Sequence, residues 1–340
     1  MFDLDSTTQD IFPADRKSLI EPLPSVLAES WQRSRETHSL LRGVFLEKPL
    51  PECVETLYVC GSLGRMEQIP SSDCDLVIVT ANDILPKSEL AQDLYGEIWD
   101  RLESLAMIRP KSNGIFSETV TWNQLVNPSH RGQVDEDQFV YGKRIQLLLD
   151  SQPIFQVDRF QELQRAVLNR YLREPESNNP SQWLGLLIEI IRYWKALGGR
   201  SLWLDDRSLG EWRYINVKFR HSRNLLIFGL ILLVGEASAQ TGDSREWLMQ
   251  RLPLTPLERV CLFAESENQS QILDSYNLFL SQMSSVEIVK ILRDDSNAEK
   301  EPPEFRELAQ NASRLVSSIL ETLKTRGVGW PVEVRHEVML

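Results

Sequence analysis

Two aspartates, Asp73 and Asp75, stand in front of an unbroken apolar run, Leu76-Val77-Ile78-Val79. A Gly61-Ser62 pair lies shortly upstream, at the end of another apolar stretch, Leu57-Tyr58-Val59-Cys60. In an extended chain successive side chains alternate between faces, so the two carboxylates point to one side and Cys74 and Leu76 to the other. Carboxylates forced onto one edge repel each other unless a cation lies between them. Magnesium answers that need, because it is a hard ion that takes carboxylate oxygens and substrate phosphates together. A strand ending in Gly-Ser can turn tightly, so that backbone amides and the Ser62 hydroxyl reach phosphate oxygens. The pattern therefore asks for phosphoryl chemistry, in which cations activate an attacking hydroxyl and stabilise a leaving pyrophosphate. An ordinary strand-turn-strand with surface acids is the bland alternative, and it leaves the conjunction of acids and Gly-Ser turn unexplained.

Other charged groups carry weaker signals. Arg65 and Glu67 either support a phosphate or pair with each other on a loop. Arg192 and Lys195 fall three apart on an apolar helix pattern and can project from one face. Asn216, Arg220 and Arg223 form a second one-sided polar stripe, with Lys218 beside it. Near Tyr193, Trp194, Trp212 and Tyr214 these cations either grip a triphosphate or line a solvated face. Should Arg220 and Arg223 be structural instead, an acid such as Glu189 would pair with them. His130 and His221 lack ligand spacing for zinc or a nucleophilic triad. The acids Asp135-Glu136-Asp137 suit a helix start, where they complement the dipole.

The elements that must position these groups follow from periodicity. An amphipathic helix over 25–46 precedes the Pro49-Leu50-Pro51 break, strands are expected at Leu57–Cys60 and Asp75–Thr80, and a helix runs from Lys87 to about Met107. A third strand is expected over Gly114–Trp122. From Asp135 onward strands stop, and helices are expected through Ile145–Leu149, over Asp158–Leu172, over Ser181–Leu197 and from Pro303 to about Thr325. Asn178-Asn179-Pro180 marks a loop, and Gly198-Gly199 a helix end.

Together the strand, the Gly-Ser pair, a gap of roughly ten residues and Asp73-Cys74-Asp75-Leu76 resemble the signature of the DNA polymerase beta-like nucleotidyltransferase superfamily. The longer match Gly61-Ser62-x-Gly64-Arg65-x-Glu67, followed by Ser72-Asp73-x-Asp75, is similar to the branch containing the uridylyltransferases of nitrogen signalling. Cys74 departs from the larger apolar or amide residue of many relatives, on the face away from the acids. Asn113-Gly114-Ile115-Phe116, Arg144-x-x-Leu147-Leu148-Leu149, Ile191–Lys195 and Lys218–Arg223 resemble a bacterial group within that branch, so the likeness spans about Val59 to Leu226.

The resemblance implies an α+β fold: a small mixed-sheet nucleotidyltransferase domain followed by an all-helical domain that closes the cleft. The expected division is a helical flank over 1–48, a catalytic domain over 49–134 and a helical domain over 135–340. It further implies a nucleoside triphosphate substrate with Mg2+ or Mn2+ at Asp73 and Asp75. Gly61, Ser62 and Arg65 would lie on the phosphates, with Arg192, Lys195, Lys218, Arg220 and Arg223 as further nucleotide ligands. The superfamily usually supplies a third acid from a later strand, and Glu118, within Ile115–Val120, is the candidate for completing the metal shell or acting as base. The acceptor is left open among a protein, an RNA end, a small molecule or a nucleotide. A nucleotide-binding regulatory module without turnover and the toxin of a toxin–antitoxin pair stay open as alternatives.

Composition bounds these readings. The 340 residues are 42% hydrophobic, enough for substantial cores without cross-links. Cys53, Cys60, Cys74 and Cys261 follow no secretory signal and form no zinc pattern, so reduced thiols in a cytoplasmic protein are expected. The longest apolar run, Leu225–Val234, spans about half of the ~20 residues a bilayer requires and reads as a buried helix. A formal charge of −12 argues against a protein that coats nucleic acid, though not against a local basic groove.

Overall fold

The computed structural model describes residues 12–110, 114–172, 182–202, 208–296 and 301–339. Helix α1, Ser25–Glu47, buries Leu27, Trp31, His38, Leu41 and Phe45 at helical spacing. Strand β1, Val54–Cys60, runs directly into a one-turn helix α2, Gly61–Gly64. Strand β2, Asp75–Thr80, follows, and helix α3, Glu89–Glu103, starts where the Ser88 hydroxyl accepts from the Ala91 amide. A two-residue strand β3, Val120–Thr121, then leads into the short helix α4, Trp122–Val126.

Helix α5, Gln138–Leu149, is capped by the Asp137 carboxylate, which accepts from the amides of Phe139 and Val140. The acidic run is thus a helix start, as its composition implies. After α5 come strand β4, Gln152–Phe155, and helix α6, Val157–Tyr171.

The four strands form one mixed sheet in the order β3-β2-β1-β4. β1 is antiparallel to β2 and β4, and β3 is parallel to β2. Strand periodicity divides the core in two. Leu57, Val59, Leu76 and Ile78 pack with Leu41, Phe45, Leu94, Ile98 and Trp99, on the face that also holds Cys74. Tyr58, Cys60, Val77 and Val79 face the opposite way, into a larger core built with the later helices. Asp75 has the same parity as Val77 and Val79, which turns it toward the helical side.

The helical part contains α7, Leu184–Leu202; α8, Leu209–Lys218; and α9, Asn224–Ser238. A single wide π turn, Phe219–Arg223, joins the last two without a break. Then come α10, Ser244–Arg251; α11, Pro256–Phe263; α12, Ser266–Ser284; α13, Val286–Leu292; α14, Pro303–Gly327; and α15, Val332–Met339. Every residue of α9 is buried, which accounts for the apolar run 225–234. Among the described residues no helix is long and apolar enough to cross a membrane. Cys60, Cys74 and Cys261 are buried, Cys53 is half-buried, and all four are free thiols. The architecture is α+β, a small mixed sheet followed by helices.

Three sequence expectations are corrected. Strands do not stop before Asp135, because β4 joins the sheet next to β1. Its four residues include Pro153, which the sheet tolerates because β4 lies on an edge. The expected strand over Gly114–Trp122 shrinks to Val120–Thr121. There the Gly114 carbonyl accepts from both the amide and the hydroxyl of Ser117, folding the chain into a turn instead of extending it. Gly198-Gly199 does not end a helix, since α7 continues through it. A Cβ at Gly198 would lie 3.1 Å from the Phe219 ring, so the glycine serves a close helix approach. The loop expected at Asn178-Asn179-Pro180, and Asn113 of the downstream motif, lie outside the described residues.

Candidate active site

The β1–β2 register pairs Cys60 with Asp75, so Gly61 meets the Asp75 side chain immediately. Gly61 has φ +68°, a left-handed conformation that favours glycine, and a Cβ there would fall 2.2 Å from Asp75 Oδ2. Both the backbone and the neighbouring carboxylate therefore demand glycine at this position. At Gly64 a Cβ would sit 2.0 Å from the Asp150 carbonyl oxygen, so the whole turn is pressed against the junction of α5 and β4.

That junction supplies groups the sequence reading did not single out. Asp150, buried at the end of α5, accepts from the Gly61 amide at 3.1 Å and from Arg65 Nη1 at 2.8 Å through Oδ2. Gln152 donates to the Gly64 carbonyl at 2.5 Å. Arg259 of α11 donates to the carbonyls of Leu148 and Leu149 at the end of α5, which fixes the junction in turn. The only hint in the sequence is a polar triplet, Asp150-Ser151-Gln152, wedged between two apolar runs. From the other side, Gln68 binds Ser34 and Thr37 of α1, and His38 approaches the Leu63 carbonyl at 3.3 Å.

Arg65 is 5% exposed, with Nε on Glu67 at 2.8 Å and Nη1 on Asp150 at 2.8 Å. Met66 between the two partners takes φ 61°, a left-handed backbone that costs a non-glycine residue ~1–2 kcal/mol. The paired reading of Arg65 and Glu67 thus describes the structure. The pair braces the turn, and Arg65 still forms part of the cleft lining.

The cleft has a volume of about 380 Å³, within the range of small-molecule sites. Gly61, Ser62, Asp73 and Asp75 line it from the sheet, and Lys218, Ser222 and Arg223 from the junction of α8 and α9. Burial first, and then the like charge of Asp73, push the Asp75 carboxyl up to about 6. Arg223 opposes that rise, and it acts on Asp150 in the same sense. Burial and the nearby Arg223 lower Lys218 to about 8, while Asp73 and Asp75 pull the other way. Acids and cations therefore lie within each other's fields in one concavity. Burial raises the Cys74 thiol to about 12, in keeping with its place in the apolar core.

The remaining candidates sit elsewhere. Glu118 is 3.4 Å from Lys87 and does not line the cleft, because β3 pairs with Val79–Thr80, the end of β2 remote from Asp75. Its carbonyl accepts from Lys143 Nζ at 2.8 Å. Arg192 lies over the Tyr141 ring at 4.3 Å and donates to the Gln133 carbonyl, and Lys195 is exposed. The stripe Asn216, Arg220, Arg223 is split: Asn216 is buried, Arg220 is exposed, and Arg223 enters the cleft. The π turn causes this, since its extra residue rotates everything after it and brings Lys218, Ser222 and Arg223 together. Glu189 pairs with Arg144 and Tyr171.

Among the described residues no three His, Cys, Asp or Glu side chains are gathered as a metal-ligand group. Asp73 and Asp75 nonetheless suit a hard divalent cation of the kind that takes only one or two carboxylates and fills its shell with substrate phosphates and water. Burial is the larger cause of the upward push on Asp75, and the like charge of Asp73, the smaller one, is the part a cation between the two would relieve.

A family model described as "Putative nucleotidyltransferase DUF294" matches residues 34–127. The matched segment begins in α1, at the serine that binds the Gln68 amide, and ends after β3, so it contains Gly61, Ser62, Asp73 and Asp75 but neither Lys218 nor Arg223. No curated protein matches the chain.

Proposed function

We propose that this chain is a metal-dependent nucleotidyltransferase that moves a nucleoside monophosphate from a nucleoside triphosphate to an acceptor hydroxyl. The observation that carries the reading is the opposition, in one cleft, of Asp73 and Asp75 to Lys218 and Arg223 around the Gly61-Ser62 turn. The family match over residues 34–127 supports a nucleotidyltransferase-like function for that segment. In the reaction the acceptor hydroxyl gives its proton to water as its oxygen forms a bond to the α-phosphorus, the α–β bridging bond breaks, and pyrophosphate leaves with the electron pair. Asp73 and Asp75 would hold Mg2+ or Mn2+, which supplies charge neutralisation at phosphate oxygens and a more acidic attacking hydroxyl. Ser62 would donate to phosphate, and Lys218 and Arg223 would bear the charge of the leaving pyrophosphate. Arg65, Glu67 and Asp150 hold the turn rigid, so that its geometry is set before substrate arrives.

Transfer is tested by incubating the protein with a nucleoside triphosphate labelled at either the α- or the γ-phosphate, Mg2+ and a cell extract. The proposal requires α-label to become covalently attached to an acceptor and γ-label to appear in pyrophosphate. One observation favours a second reading, a nucleotide-binding module without turnover: beyond Asp73 and Asp75, Glu67 is the one carboxylate in the described lining, and it is paired with Arg65. Tight nucleotide binding with no transfer in any extract would establish that reading instead.

A further inference from the structure

The triphosphate end accounts for only part of the cleft. Phe279, Leu280 and Met283 of α12 and Val289 of α13 also line it, and they are apolar. Phosphate gains nothing from such a surface, whereas a planar heterocycle does. Phe279 is locked from behind, with the His221 ring stacked on it at 4.4 Å and nearly parallel. His221 is itself held between the Val217 carbonyl and Asn311. This part of the lining is therefore preformed.

A second, independent feature points to a ligand with hydrogen-bond donors. Gln146 of α5 lines the same cleft and is nine-tenths buried, and its Oε1 has no partner among the described residues. A buried carbonyl oxygen left unpaired costs ~1–3 kcal/mol, so it calls for a donor. An exocyclic amine or a sugar hydroxyl offers one, and an ionised triphosphate does not.

We infer that α12 and α13, together with Gln146, form the nucleoside seat of the cleft, so that base preference is set by C-terminal helices outside the family-matched segment. This rests on the nucleotidyltransferase reading above and adds to it the location of the base. Carboxylates, Lys218 and Arg223 would then serve the triphosphate, and Phe279, Leu280, Met283, Val289 and the Gln146 amide the nucleoside, with Arg293 at the end of α13 lying over the Tyr214 ring at 3.9 Å in the same lining.

The test is titration calorimetry of the full chain in Mg2+ with inorganic tripolyphosphate and with α,β-methylene analogues of the four nucleoside triphosphates. Val289→Trp fills the seat from a partly exposed position, and Met283→Ala opens it. Each is expected to weaken analogue binding at least tenfold and to erase discrimination among the four bases, while tripolyphosphate binds within about twofold of wild type. If Met283→Ala melts early, Val289→Trp decides, checked by its melting temperature. Wild-type affinity for the analogues in a folded Val289→Trp protein would place the base elsewhere, and loss of transfer with that affinity intact would make this surface an acceptor seat. Either outcome overturns the inference while sparing the nucleotide reading. A wild-type chain that binds neither tripolyphosphate nor any analogue removes both.

Discussion

Asp73 and Asp75 differ in their surroundings, and that difference separates their variants. Asp73 is exposed and Asp75 half-buried against Gly61. The folded Asp75 carboxyl holds its proton up to about pH 6, while the unfolded one releases it near 4. Between those values the folded state binds more protons, so this group's contribution to stability falls as pH rises through that window and is unfavourable at neutral pH. Asp75→Asn should therefore abolish transfer and yet raise the melting temperature at pH 7.5, by a gain on the order of 1–2 kcal/mol, with the gain gone below about pH 4. Asp73→Asn should abolish transfer with little change in melting. Thermal melts of both variants at pH 7.5 and 4 check the contrast, and a destabilised Asp75→Asn protein would mean that Asp75 is a structural ion-pair partner. Gly61→Ala should lose both stability and at least tenfold in transfer rate, because its Cβ collides with Asp75 Oδ2 on a backbone already left-handed.

At the scale of elements, β1, β2 and the turn between them were legible because alternation and a Gly-Ser break are local signals. Asp75–Thr80 emerges with the bounds its apolar run suggests. What was not legible depends on partners distant in sequence. Glu118 comes near Asp75 only if the third strand is long, but register is set by pairing, and the Gly114–Ser117 turn leaves only two residues to pair. β4 hides behind Pro153, and Asp150 looks like a helix end until Gly61 and Arg65 are seen to bind it. The π turn could not be read from an i, i+4, i+7 stripe that assumes an unbroken α-helix. It makes a specific demand, because Lys218 and Arg223 share the cleft only while the extra residue is present. Replacing both with Ala should weaken triphosphate binding by about 10- to 100-fold per side chain, as for lost charge-assisted contacts. Arg220→Ala and Lys195→Ala should leave it unchanged. Equal losses in all four positions would point to the general field and not to the cleft.

For the whole molecule, the proposed triphosphate would have to approach a chain of net charge −12, so local cations would have to outweigh the global field. The cleft joins parts of the chain far apart in sequence: the turn and acids between Gly61 and Asp75, the cations at Lys218 and Arg223, and the apolar surface from Phe279 to Val289. On the proposed function the family-matched segment would supply the reacting edge, and the later helices charge and shape. The claim on which everything else rests is that Asp73 and Asp75 make nucleotide binding depend on a divalent cation. Its most direct test is calorimetric titration of the full chain with a non-hydrolysable nucleoside triphosphate, with and without Mg2+, for wild type and Asp75→Asn. Binding at least about tenfold tighter with Mg2+ is expected in wild type, with no such gain in the variant. Equal affinity with and without Mg2+ in wild type, or a Mg2+ gain preserved in Asp75→Asn, would contradict it.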